Sequence, residues 1–588
     1  MEYLNGQDLY QMFNYGTNFV VKKRRLLNDI NVFPVPDGDT GNNLVHTMQT
    51  ISRESKVSDS FQETLDSISD SALIGARGNS GIIFAQFVNG LRKASLNKDQ
   101  VSIDEFTQMA LDSVEHVYSA LSNPVEGTML SVIKDWAEGL NHILHKVKNI
   151  KDYFKQAYKT AEVSLEKTKE QLAVLKKNNV VDSGALGFVL FLSGVNSYFN
   201  NEAIEQVDFE EIEIEYEHDF NEEISYRYCT EGLVEYLPGL NEDLVKEALK
   251  IYGDSLVVVM GSHMFRVHIH TDQPHLVFKE LRRFGKIISQ KVDDMIQDIA
   301  FKKSKKDTVI VTDSIADIDP MYLKDHDVAQ IPLNITVDDV LYYDKLTINN
   351  EILFDMIDAG LEYPTTSTPS IKYINDLFSK LLLHYKNIIV ILVAGQLSAT
   401  YSAIKTEADK LIEKGKNIRV IDSLNNSVSQ GLLVKKAVEM LEAGQLFDQI
   451  VEQIETMKHK TKVLVCLETF KYATMSGRLP KAVGKIGMFF KIRPIMTLDE
   501  KGKGAAFGFA LSQKGITKKI VDYVKKDMET NEIESYALIH CLNPELLAEY
   551  RTLFTDLIGK APEYESVVSS ATMIHSGKGS VAIGYIKK

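Results

Sequence analysis

Two aspartates in a short turn are the first residues whose types and spacing suggest chemistry. Asp37 and Asp39 stand two apart in "NVFPVPDGDTGNN", residues 31–43. Pro34 and Pro36 each remove a backbone donor and fix φ, so this stretch is a stiff loop and not helix interior. Hard carboxylate oxygens beside a helix start suit Mg²⁺ that bridges phosphates. The alternative is an Asp-Gly turn that caps a helix, which is common for such sequences.

A cysteine and two histidines further along the chain suggest a second site. Cys229 lies in "YRYCTEGLV", and His268 and His270 lie in "FRVHIHTD". Residues two apart on a strand share a face, so the two histidines can point the same way. Together with a thiolate they would supply three of the four ligands of a zinc site. The alternative is a packed cysteine with two strand histidines, and the residues alone leave both interpretations open.

The elements that must position the aspartates are helices. Over about the first 200 residues, apolar residues recur at three- and four-residue spacing with charges between them. Four glycine-bearing turns separate the helices: "PDGDTGNN", "GARGNSG" (75–81), "PVEGTM" (124–129) and "VVDSGALG" (180–187). We expect an all-α bundle whose connecting loops carry the chemistry. Four such loops at one end of a bundle could hold a nucleotide.

The character of the chain changes after the helical region. Residues 201–223 contain eleven acidic residues and no Lys or Arg, which is typical of a solvated linker or edge strand. Residues 224–300 combine β-branched runs with helical patterns and predict a small α/β domain. From residue 307 onward, buried-strand and helix patterns alternate, which predicts a parallel sheet with helices.

Composition narrows the class of protein. The 588-residue chain is long enough for two to four domains, and its net charge of −15 argues against a nucleic-acid binder. Three cysteines imply no disulfide framework. The N-terminus does not resemble a signal peptide, and the apolar runs are shorter than the roughly 20 residues that span a bilayer. We therefore expect a cytoplasmic protein with at most transient contact to a membrane surface.

The motifs of the helical region, taken in order, resemble those of a known family. "NVFPVPDGDTGNN", "ARGNSG", "PVEGT" and "VVDSG" resemble the L subunit of dihydroxyacetone kinase and, more closely, the ATP-binding subunit of the bacterial fatty acid kinase. The resemblance covers about residues 1–200 and implies an eight-helix barrel with ATP at one end. It implies that Asp37 and Asp39 are the catalytic Mg²⁺ ligands, with Asn31 where dihydroxyacetone kinases have a further aspartate. The nucleotide-lining residues that it implies are Thr40, Asn42, Asn43, Ser80, Gly81, Thr128 and Asp182.

The segment at residues 224–300 resembles the middle, dimer-forming domain of that ATP-binding protein of fatty acid kinase. In that domain, too, a cysteine and a His-x-His pattern occur. The resemblance implies a homodimer, and it leaves zinc binding by Cys229, His268 and His270 as an open hypothesis.

The C-terminal half resembles the DegV family of fatty-acid-binding proteins over residues 307–588. The resemblance rests on "VIVTDSIADI", "TTSTPS", "GQLSATYSA", "VIDSLNNSVSQG", "SGRL" and "MIHSGKG". It implies two α/β lobes around an apolar tunnel, with the acid's carboxylate at the tunnel mouth, where charge-assisted donors would replace water. The implied carboxylate-binding residues are Thr366, Ser367, Ser398, Arg478 and His575. The chain departs from the family at Ala399, usually Gly, and at Lys578 in "GKG".

Joined in one chain, these parts imply ATP-dependent phosphorylation of a fatty acid to an acyl phosphate, with ATP and Mg²⁺ as cofactors. A carboxylic acid with a pKa of about 4 to 5 is already ionised at neutral pH, so we expect no catalytic base. Two other classes of function stay open. One is a lipid-binding or regulatory protein that binds nucleotide without transferring phosphate. The other is a kinase for a small hydroxylated substrate, as in dihydroxyacetone (glycerone) kinase.

Overall fold

The computed structural model describes residues 3–33, 38–95, 98–121, 124–147, 149–202, 225–236, 239–477, 485 and 487–588. Asp37, Arg478 and residues 203–223 of the acidic segment therefore lie outside the described residues. The chain divides into two compact units, Met1–Asp298 and Ile299–Lys588. None of the helices in the described part combines the length and the apolar character needed to cross a bilayer.

The first unit begins with a helical region. Its helices are α1 (Gly6–Lys22), α2 (Arg24–Asp29), α3 (Thr40–Glu54), α4 (Phe61–Gly75), α5 (Gly78–Ala94), α6 (Ile103–Ala120), α7 (Met129–Ile143), α8 (Ile150–Gln171), α9 (Ala173–Asn178) and α10 (Ser183–Phe199). Strands β1 (Tyr3–Leu4) and β2 (Val101–Ser102) form a short antiparallel pair. Helix α10 packs on α8 and on α1, so the last helix contacts the first. The helical prediction for this region is confirmed, whereas the closed eight-helix barrel stays a prediction.

Aromatic side chains fill the interior of the helical region. Phe87, Trp136 and Phe188 meet edge to face, with ring centroids 5.4 to 5.9 Å apart. Such pairs each contribute about 1 kcal/mol beyond the area they bury. Trp136 is the one tryptophan of the chain and is buried, so its fluorescence reports on the folding of this region.

A four-stranded antiparallel sheet completes the first unit. Its strands are β3 (Tyr228–Tyr236), β4 (Gly253–Met260), β5 (Met264–Thr271) and β6 (Gly285–Asp294), in the spatial order β4-β5-β3-β6. Helix α11 (Glu242–Leu249) connects β3 to β4, helix α12 (Pro274–Phe284) connects β5 to β6, and helix α13 (Met295–Lys303) follows β6. Helix α12 packs on β3 and β6. Strands β4 and β5 also contact α4, α5 and α6, and Leu233, Val257 and Val259 belong to the same apolar cluster as the helices. The sheet and the helical region therefore share one core.

The second unit contains three sheets. A parallel sheet has the order β13-β12-β7-β8, a mixed sheet has the order β16-β15-β14-β19-β17-β18, and a small antiparallel sheet has the order β10-β9-β11. The strands are β7 (Thr308–Asp313), β8 (Ala329–Ile331), β9 (Asn334–Val337), β10 (Val340–Tyr343), β11 (Thr365–Ser367), β12 (Asn387–Leu392), β13 (Asn417–Asp422), β14 (Thr461–Cys466), β15 (Arg493–Leu498), β16 (Gly504–Ala510), β17 (Ile533–His540), β18 (Glu565–Val567) and β19 (Val581–Lys587). The α/β prediction for this half is confirmed. The prediction of a parallel sheet holds for β13-β12-β7-β8 but is wrong for β14, which pairs antiparallel with β15 and β19, because an apolar run does not fix the direction of its neighbours.

Helices cover the sheets of the second unit. They are α14 (Pro320–Asp325), α15 (Asn350–Asp358), α16 (Ile371–Leu382), α17 (Thr400–Glu413), α18 (Ser427–Glu442), α19 (Phe447–Met457), α20 (Lys471–Met475), α21 (Gln513–Met528), α22 (Pro544–Ile558) and α23 (Ser570–Ser576). Strand β12 lies between two parallel neighbours, and its residues Ile388 to Leu392 are fully buried. A strand covered on both faces has the continuous apolar sequence that is seen here.

A buried aspartate explains part of the "VTDSIADI" pattern. Asp317 accepts hydrogen bonds from Ser427 Oγ (2.6 Å) and Ser569 N (2.7 Å), and Lys345 Nζ lies 3.2 Å from its carboxylate. Ser427 and Ser569 stand 110 and 252 positions from Asp317 along the chain. A buried charge is tolerated when it is paired and hydrogen-bonded, so this aspartate has a structural role in joining distant segments.

Candidate nucleotide and metal site

The acidic turn presents a carboxylate that the neighbouring helix does not use. Gly38 has φ +70°, a left-handed conformation that favours glycine. Asp39 occupies the N-cap of α3, and its backbone carbonyl accepts from Asn43 N (2.9 Å). Within the described residues, its carboxylate makes no capping hydrogen bond to the first turn. Helix capping therefore does not account for the carboxylate of Asp39.

Hydrogen bonds tie the two sides of this turn together. The Thr40 hydroxyl donates to Asn31 Oδ1 (2.7 Å), and both residues are buried. The backbone N–H of Asn42 donates to Asn28 Oδ1 (3.1 Å), while the Asn42 side chain is exposed. The structure thus brings together two residues predicted from sequence, Asn31 and Thr40, across the turn.

The second glycine loop packs tightly on α3. A Cβ at Gly78, which has φ +57°, would lie 2.2 Å from Asn43 Nδ2, and a Cβ at Gly81 would lie 2.4 Å from Thr47 Oγ1. Both glycines are therefore needed for the close approach of α5 to α3. The Ser80 hydroxyl is buried and has no hydrogen-bond partner among the described residues. A buried donor without a partner is costly, so this hydroxyl is a candidate ligand-binding group.

The third and fourth loops meet at the starts of α7 and α10. Thr128 caps α7 through a hydrogen bond from Leu130 N (3.3 Å). Asp182 caps α10 by accepting from Ala185 N (2.7 Å) and also accepts from the backbone N–H of Met129. The two loops are therefore in contact, as the sequence predicts for loops that share one end of the bundle.

The starts of four helices form a continuous group. Helix α10 reaches the end of α2 because Ser183 Oγ donates to Leu27 O (2.5 Å). That end adjoins the acidic turn at α3, and the α3 turn adjoins the start of α5 at Gly78. The N-termini of helices carry positive potential, which suits phosphate groups.

Three ligand-type side chains cluster on one face of the sheet. Cys229 on β3 is directly opposite His270 on β5, and one ligand atom from each of Cys229, His268 and His270 lies within 4.8 Å of the other two. Cys229 Sγ is 3.7 Å from His268 Nδ1. With Zn–S of about 2.3 Å and Zn–N of about 2.0 Å, ligand atoms of a tetrahedral site lie roughly 3.5 Å apart. The distance of 3.7 Å between Cys229 Sγ and His268 Nδ1 is close to this value, so the cluster fits such a site.

Two further observations support a metal at this cluster. His268 Nε2 is buried and has no hydrogen-bond partner among the residues that the structure describes. Burial, with a smaller effect of His268, lowers the pKa of His270 to about 3, so this imidazole is neutral, as a metal ligand must be. The three residues predicted from sequence as a zinc site are thus brought together and fit the metal.

Charged residues on the neighbouring strands face the same cluster. Glu231 on β3 is opposite His268 on β5 and opposite Lys291 on β6. Asp293, two residues further on β6, is opposite Cys229, and Lys291 Nζ lies 2.5 Å from Asp293 Oδ2. Since residues two apart on a strand share a face, all of these side chains lie on the cluster's side of the sheet.

The acidic turn and the metal cluster interact electrostatically. Burial lowers the pKa of Lys291, but the negative charges of Asp293, Glu231, Cys229 and Asp39 together raise it well above its ordinary value. Burial raises the pKa of the Cys229 thiol, and Asp39 contributes to this rise. The charge of Asp39, in the helical region, therefore acts on the pKa values of Lys291 and Cys229, in the sheet.

In the second unit, three predicted carboxylate-binding residues lie on two neighbouring segments. Thr366 and Ser367 are on the short strand β11, and His575 is on α23. The Tyr363 hydroxyl, just before β11, donates to Ile574 O (2.5 Å). This bond brings the strand's segment against the helix that carries the histidine.

Ser398 and Arg478, also predicted from sequence, are not joined to that group by the structure. The Ser398 hydroxyl hydrogen-bonds to the Thr400 hydroxyl (2.8 Å) at the start of α17. Arg478 lies outside the described residues. Their proposed contacts to a carboxylate stay predictions.

Two neighbouring cavities open in the second unit, each of about 430 Å³, a size within the range of ligand pockets. The first is mainly apolar and is lined by Phe470, Gly487, Ile492, Pro494, Ala506, Phe507, Gly508 and Phe509. The second is more polar and is lined by Glu468, Thr469, Tyr472, Gly487, Met488, Lys491, Ile492, Arg493 and Lys578. The described residues that line them do not include Thr366, Ser367, Ser398 or His575.

Three family models match consecutive parts of the chain. The DAK2 domain model matches residues 34–197, the model of the FakA-like middle domain of fatty acid kinase matches residues 225–300, and the model of uncharacterised proteins of the DegV family matches residues 307–588. The chain is a fusion of these three domains. The resemblances predicted from the sequence motifs are confirmed.

Staphylococcal proteins are similar to about half of this chain. An uncharacterized protein of Staphylococcus epidermidis is 32% identical over 343 residues, which is 53% of this chain and 62% of the relative. An uncharacterized protein of Staphylococcus saprophyticus is 33% identical over 307 residues, 50% of this chain and 55% of the relative. The match thus spans between half and two thirds of the length of these relatives.

Solved structures resemble the DegV half. A fatty-acid-binding DegV family protein from Thermus thermophilus is 22% identical, with a TM-score of 0.44, over 48% of this chain and 99% of that chain. A stearic acid-binding protein from Eubacterium ventriosum is 24% identical, with a TM-score of 0.43, over 47% and 98%. DegV of Bacillus subtilis is 23% identical, with a TM-score of 0.43, over 48% and 100%.

Sequence reasoning missed three charged residues of the middle domain, Glu231, Arg266 and Lys291. The signal was present, because Glu231 stands two residues after Cys229 and Arg266 two residues before His268. On strands, that spacing places each one on the same face as the neighbouring metal ligand. Lys291 had no such signal, since its place opposite Glu231 depends on the pairing of β6 with β3.

The DAK2 domain should lose stability as Asp182 ionises. Burial raises the pKa of Asp182 to about 6 from 3.8, despite the hydrogen bonds it accepts. Because the folded state then binds the proton more tightly than the unfolded chain, stability falls as pH rises through this interval. We expect the free energy of unfolding of wild type relative to D182N to fall by about 2 kcal/mol between pH 4 and pH 7. Denaturant unfolding followed by Trp136 fluorescence measures it, and a pH-independent difference would contradict it.

Proposed function

We propose that this chain transfers the γ-phosphoryl group of ATP to the carboxylate of a fatty acid. A carboxylate oxygen forms a bond to the γ-phosphorus, the bond from that phosphorus to the bridging oxygen breaks, and the products are an acyl phosphate and ADP. The observation that carries the proposal is the contact between the two domains, where Glu231 of the middle domain, 3.7 Å from His268 Nδ1, accepts a hydrogen bond from Gly78 N of the DAK2 domain (2.6 Å). A FakA-like middle domain of fatty acid kinase beside a DAK2 domain supports the same reaction.

The DAK2 domain would hold the nucleotide at one end of a helical barrel. Asp37 and Asp39 are the proposed ligands of Mg²⁺, which would neutralise charge on the phosphates. Asn31 and Thr40 brace this turn through their hydrogen bond. The Ser80 hydroxyl would donate a hydrogen bond to a phosphate oxygen, and the positive potential of the helix N-termini would favour the phosphates.

The middle domain would hold Zn²⁺ through Cys229, His268 and His270. Three protein ligands leave a fourth position open, which is typical of catalytic zinc, and the ion would supply Lewis-acid stabilisation of a bound oxyanion. Lys291 would add a fixed positive charge between two reacting anions. The acceptor carboxylate is already ionised at neutral pH and is repelled by the γ-phosphate of ATP. The site would reduce this repulsion by positioning the two anions and by placing positive charge beside them.

The DegV domain would bind the fatty acid. Its apolar cavity with Phe470, Phe507 and Phe509 suits an acyl chain, and the polar cavity beside it carries Lys491 and Lys578, which suit a carboxylate. Thr366, Ser367, Ser398, Arg478 and His575 remain the head-group residues proposed from the motifs. Dimer formation through the middle domain and a cytoplasmic location are further parts of the proposal.

The proposal is tested on the purified full chain without added ligand. Native mass spectrometry followed by solvent extraction identifies any bound lipid, and we expect a long-chain fatty acid. Release of ADP from Mg–ATP should then depend on fatty acid, and hydroxylamine should trap the product as a hydroxamate. Nucleotide binding without ADP release would favour the regulatory alternative, and ADP release that depends on a small hydroxylated ketone would favour the dihydroxyacetone-type alternative.

Lys291 should matter for the reaction beyond its ion pair with Asp293. In K291M, we expect kcat to fall at least about 10-fold, because a preorganised charge at the reacting phosphate is removed. The matched control is K286M, which changes an exposed lysine on the same strand. Steady-state kinetics of ADP release measure the effect. An equal loss in both variants, or no loss in K291M, would contradict the role.

A further inference from the structure

A buried ion pair joins the metal-binding strands to the second glycine loop. Arg266 Nη1 lies 3.3 Å from Glu231 Oε2, and both side chains are almost fully buried. Glu231 is on β3, two residues from Cys229, and Arg266 is on β5, two residues from His268. We call these two residues the Glu231–Arg266 pair.

Both members of the pair hold the connection between α4 and α5. Arg266 Nε donates to Leu73 O and Arg266 Nη2 donates to Ile74 O, each at 2.8 Å, in the last turn of α4. Glu231 Oε1 accepts from Gly78 N (2.6 Å), the first residue of α5. The cation therefore lies at the negative end of one helix and the anion at the positive end of the next, which is the favourable arrangement for both.

Glu231 of this pair also lies beside the metal cluster. Glu231 Oε1 lies 3.7 Å from His268 Nδ1. The Glu231 carboxylate thus lies between the strand that carries His268 and the first residue of α5. Residues that support metal ligands commonly affect metal affinity about 10- to 100-fold when they are changed.

We propose that the Glu231–Arg266 pair couples nucleotide binding at the Gly75–Gly81 loop to metal binding at Cys229, His268 and His270. The inference rests on the proposed function, since it takes the loop as a nucleotide site and the cluster as a zinc site. Coupling between two sites is reciprocal, so zinc strengthens nucleotide binding by the same factor as nucleotide strengthens zinc binding. Glu231 and Arg266 are positioning residues, because they act through the loop and the metal ligands.

The coupling is measured as a ratio of dissociation constants. Isothermal titration of Mg–ADP into zinc-loaded and zinc-stripped full-length protein should give binding at least about 5-fold tighter with zinc in wild type. In E231Q the amide keeps the size of the side chain but cannot accept from both Gly78 and Arg266, so the ratio should fall to near one. The matched control, D294N, breaks the Arg227–Asp294 ion pair (2.6 Å) within the middle domain and should keep the wild-type ratio.

A second variant distinguishes loss of coupling from loss of folding. Removing one partner of a buried ion pair leaves a lone charge, which is strongly destabilising. The double variant E231Q/R266Q leaves no lone charge, and we expect the same loss of coupling. A wild-type ratio near one, or a wild-type ratio retained in either variant, would overturn the inference and leave the proposed function standing. Failure of the wild-type protein to bind Mg–ADP or zinc would overturn both.

Discussion

Replacing Asp39 with asparagine should abolish most phosphoryl transfer without unfolding the protein. Loss of a metal-binding carboxylate weakens the charge neutralisation of the phosphates, so we expect kcat for fatty-acid-dependent ADP release to fall at least about 100-fold in D39N. Because this carboxylate makes no capping hydrogen bond to α3 within the described residues, the free energy of unfolding should change by less than about 1 kcal/mol. Steady-state kinetics and denaturant unfolding measure the two quantities separately.

The matched control for this change is D112N, which alters an exposed aspartate on helix α6. D112N should keep wild-type kinetics. A fully active D39N, or a D39N whose activity loss follows a comparable loss of stability, would show that the aspartate is structural. Elevated Mg²⁺ should partly restore D39N if the loss lies in metal affinity.

Replacing Cys229 with serine should remove the metal of the middle domain. A hydroxyl is a much poorer zinc ligand than a thiolate, and changes even to supporting residues cost about 10- to 100-fold in affinity, so we expect zinc binding to weaken at least about 100-fold in C229S. Fatty-acid-dependent ADP release should fall in parallel, because the proposed zinc would no longer supply Lewis-acid stabilisation. Metal analysis by plasma mass spectrometry, after dialysis against a fixed free zinc concentration, measures the binding.

Cys541 supplies the matched control. It is buried in the second unit on the segment after β17, so C541S tests the loss of a buried thiol without touching the cluster. C541S should retain zinc and activity. If C229S bound zinc as wild type does, the cluster of one cysteine and two histidines would be a packing feature, as the alternative from sequence holds.

The helices and turns of the helical region could be predicted from local sequence patterns, because each of these features depends on residues only a few positions apart. Helix α3 begins at Thr40, directly after the acidic turn, where the sequence predicts a helix start. Strand alternation was likewise sufficient to place His268 and His270 together. In both cases, residue spacing alone sets which side chains share a face.

Contacts between distant segments could not be predicted from spacing. Gly78 and Glu231 are 153 positions apart, and their hydrogen bond depends on the packing of the sheet against α4 and α5. The sequence predicted the acidic turn and the zinc cluster as separate sites for the same reason. Spacing also gave no sign that Gly81 packs against Thr47, whose Oγ1 occupies the space that a Cβ at position 81 would need.

In the C-terminal half, too, local elements could be predicted from the sequence, but contacts between distant segments could not. The buried strands were predictable from continuous apolar runs such as that of β12. The cavity lining was not, because Phe507 and Phe509 come from β16 while Phe470 comes from the segment after β14, and only tertiary packing brings them to one wall. Exposed aromatic residues on a strand give no local sign of a cavity.

The most direct test of the central claim is phosphorus NMR of the full chain supplied with Mg–ATP and a long-chain fatty acid labelled with ¹³C at the carboxyl carbon. The account predicts that the β- and γ-phosphate signals of ATP decline while ADP appears. It also predicts a new acyl phosphate signal that is coupled to the labelled carbon and is lost on addition of hydroxylamine. ATP that stays intact, or ADP that appears with free inorganic phosphate and no coupled signal, would contradict it.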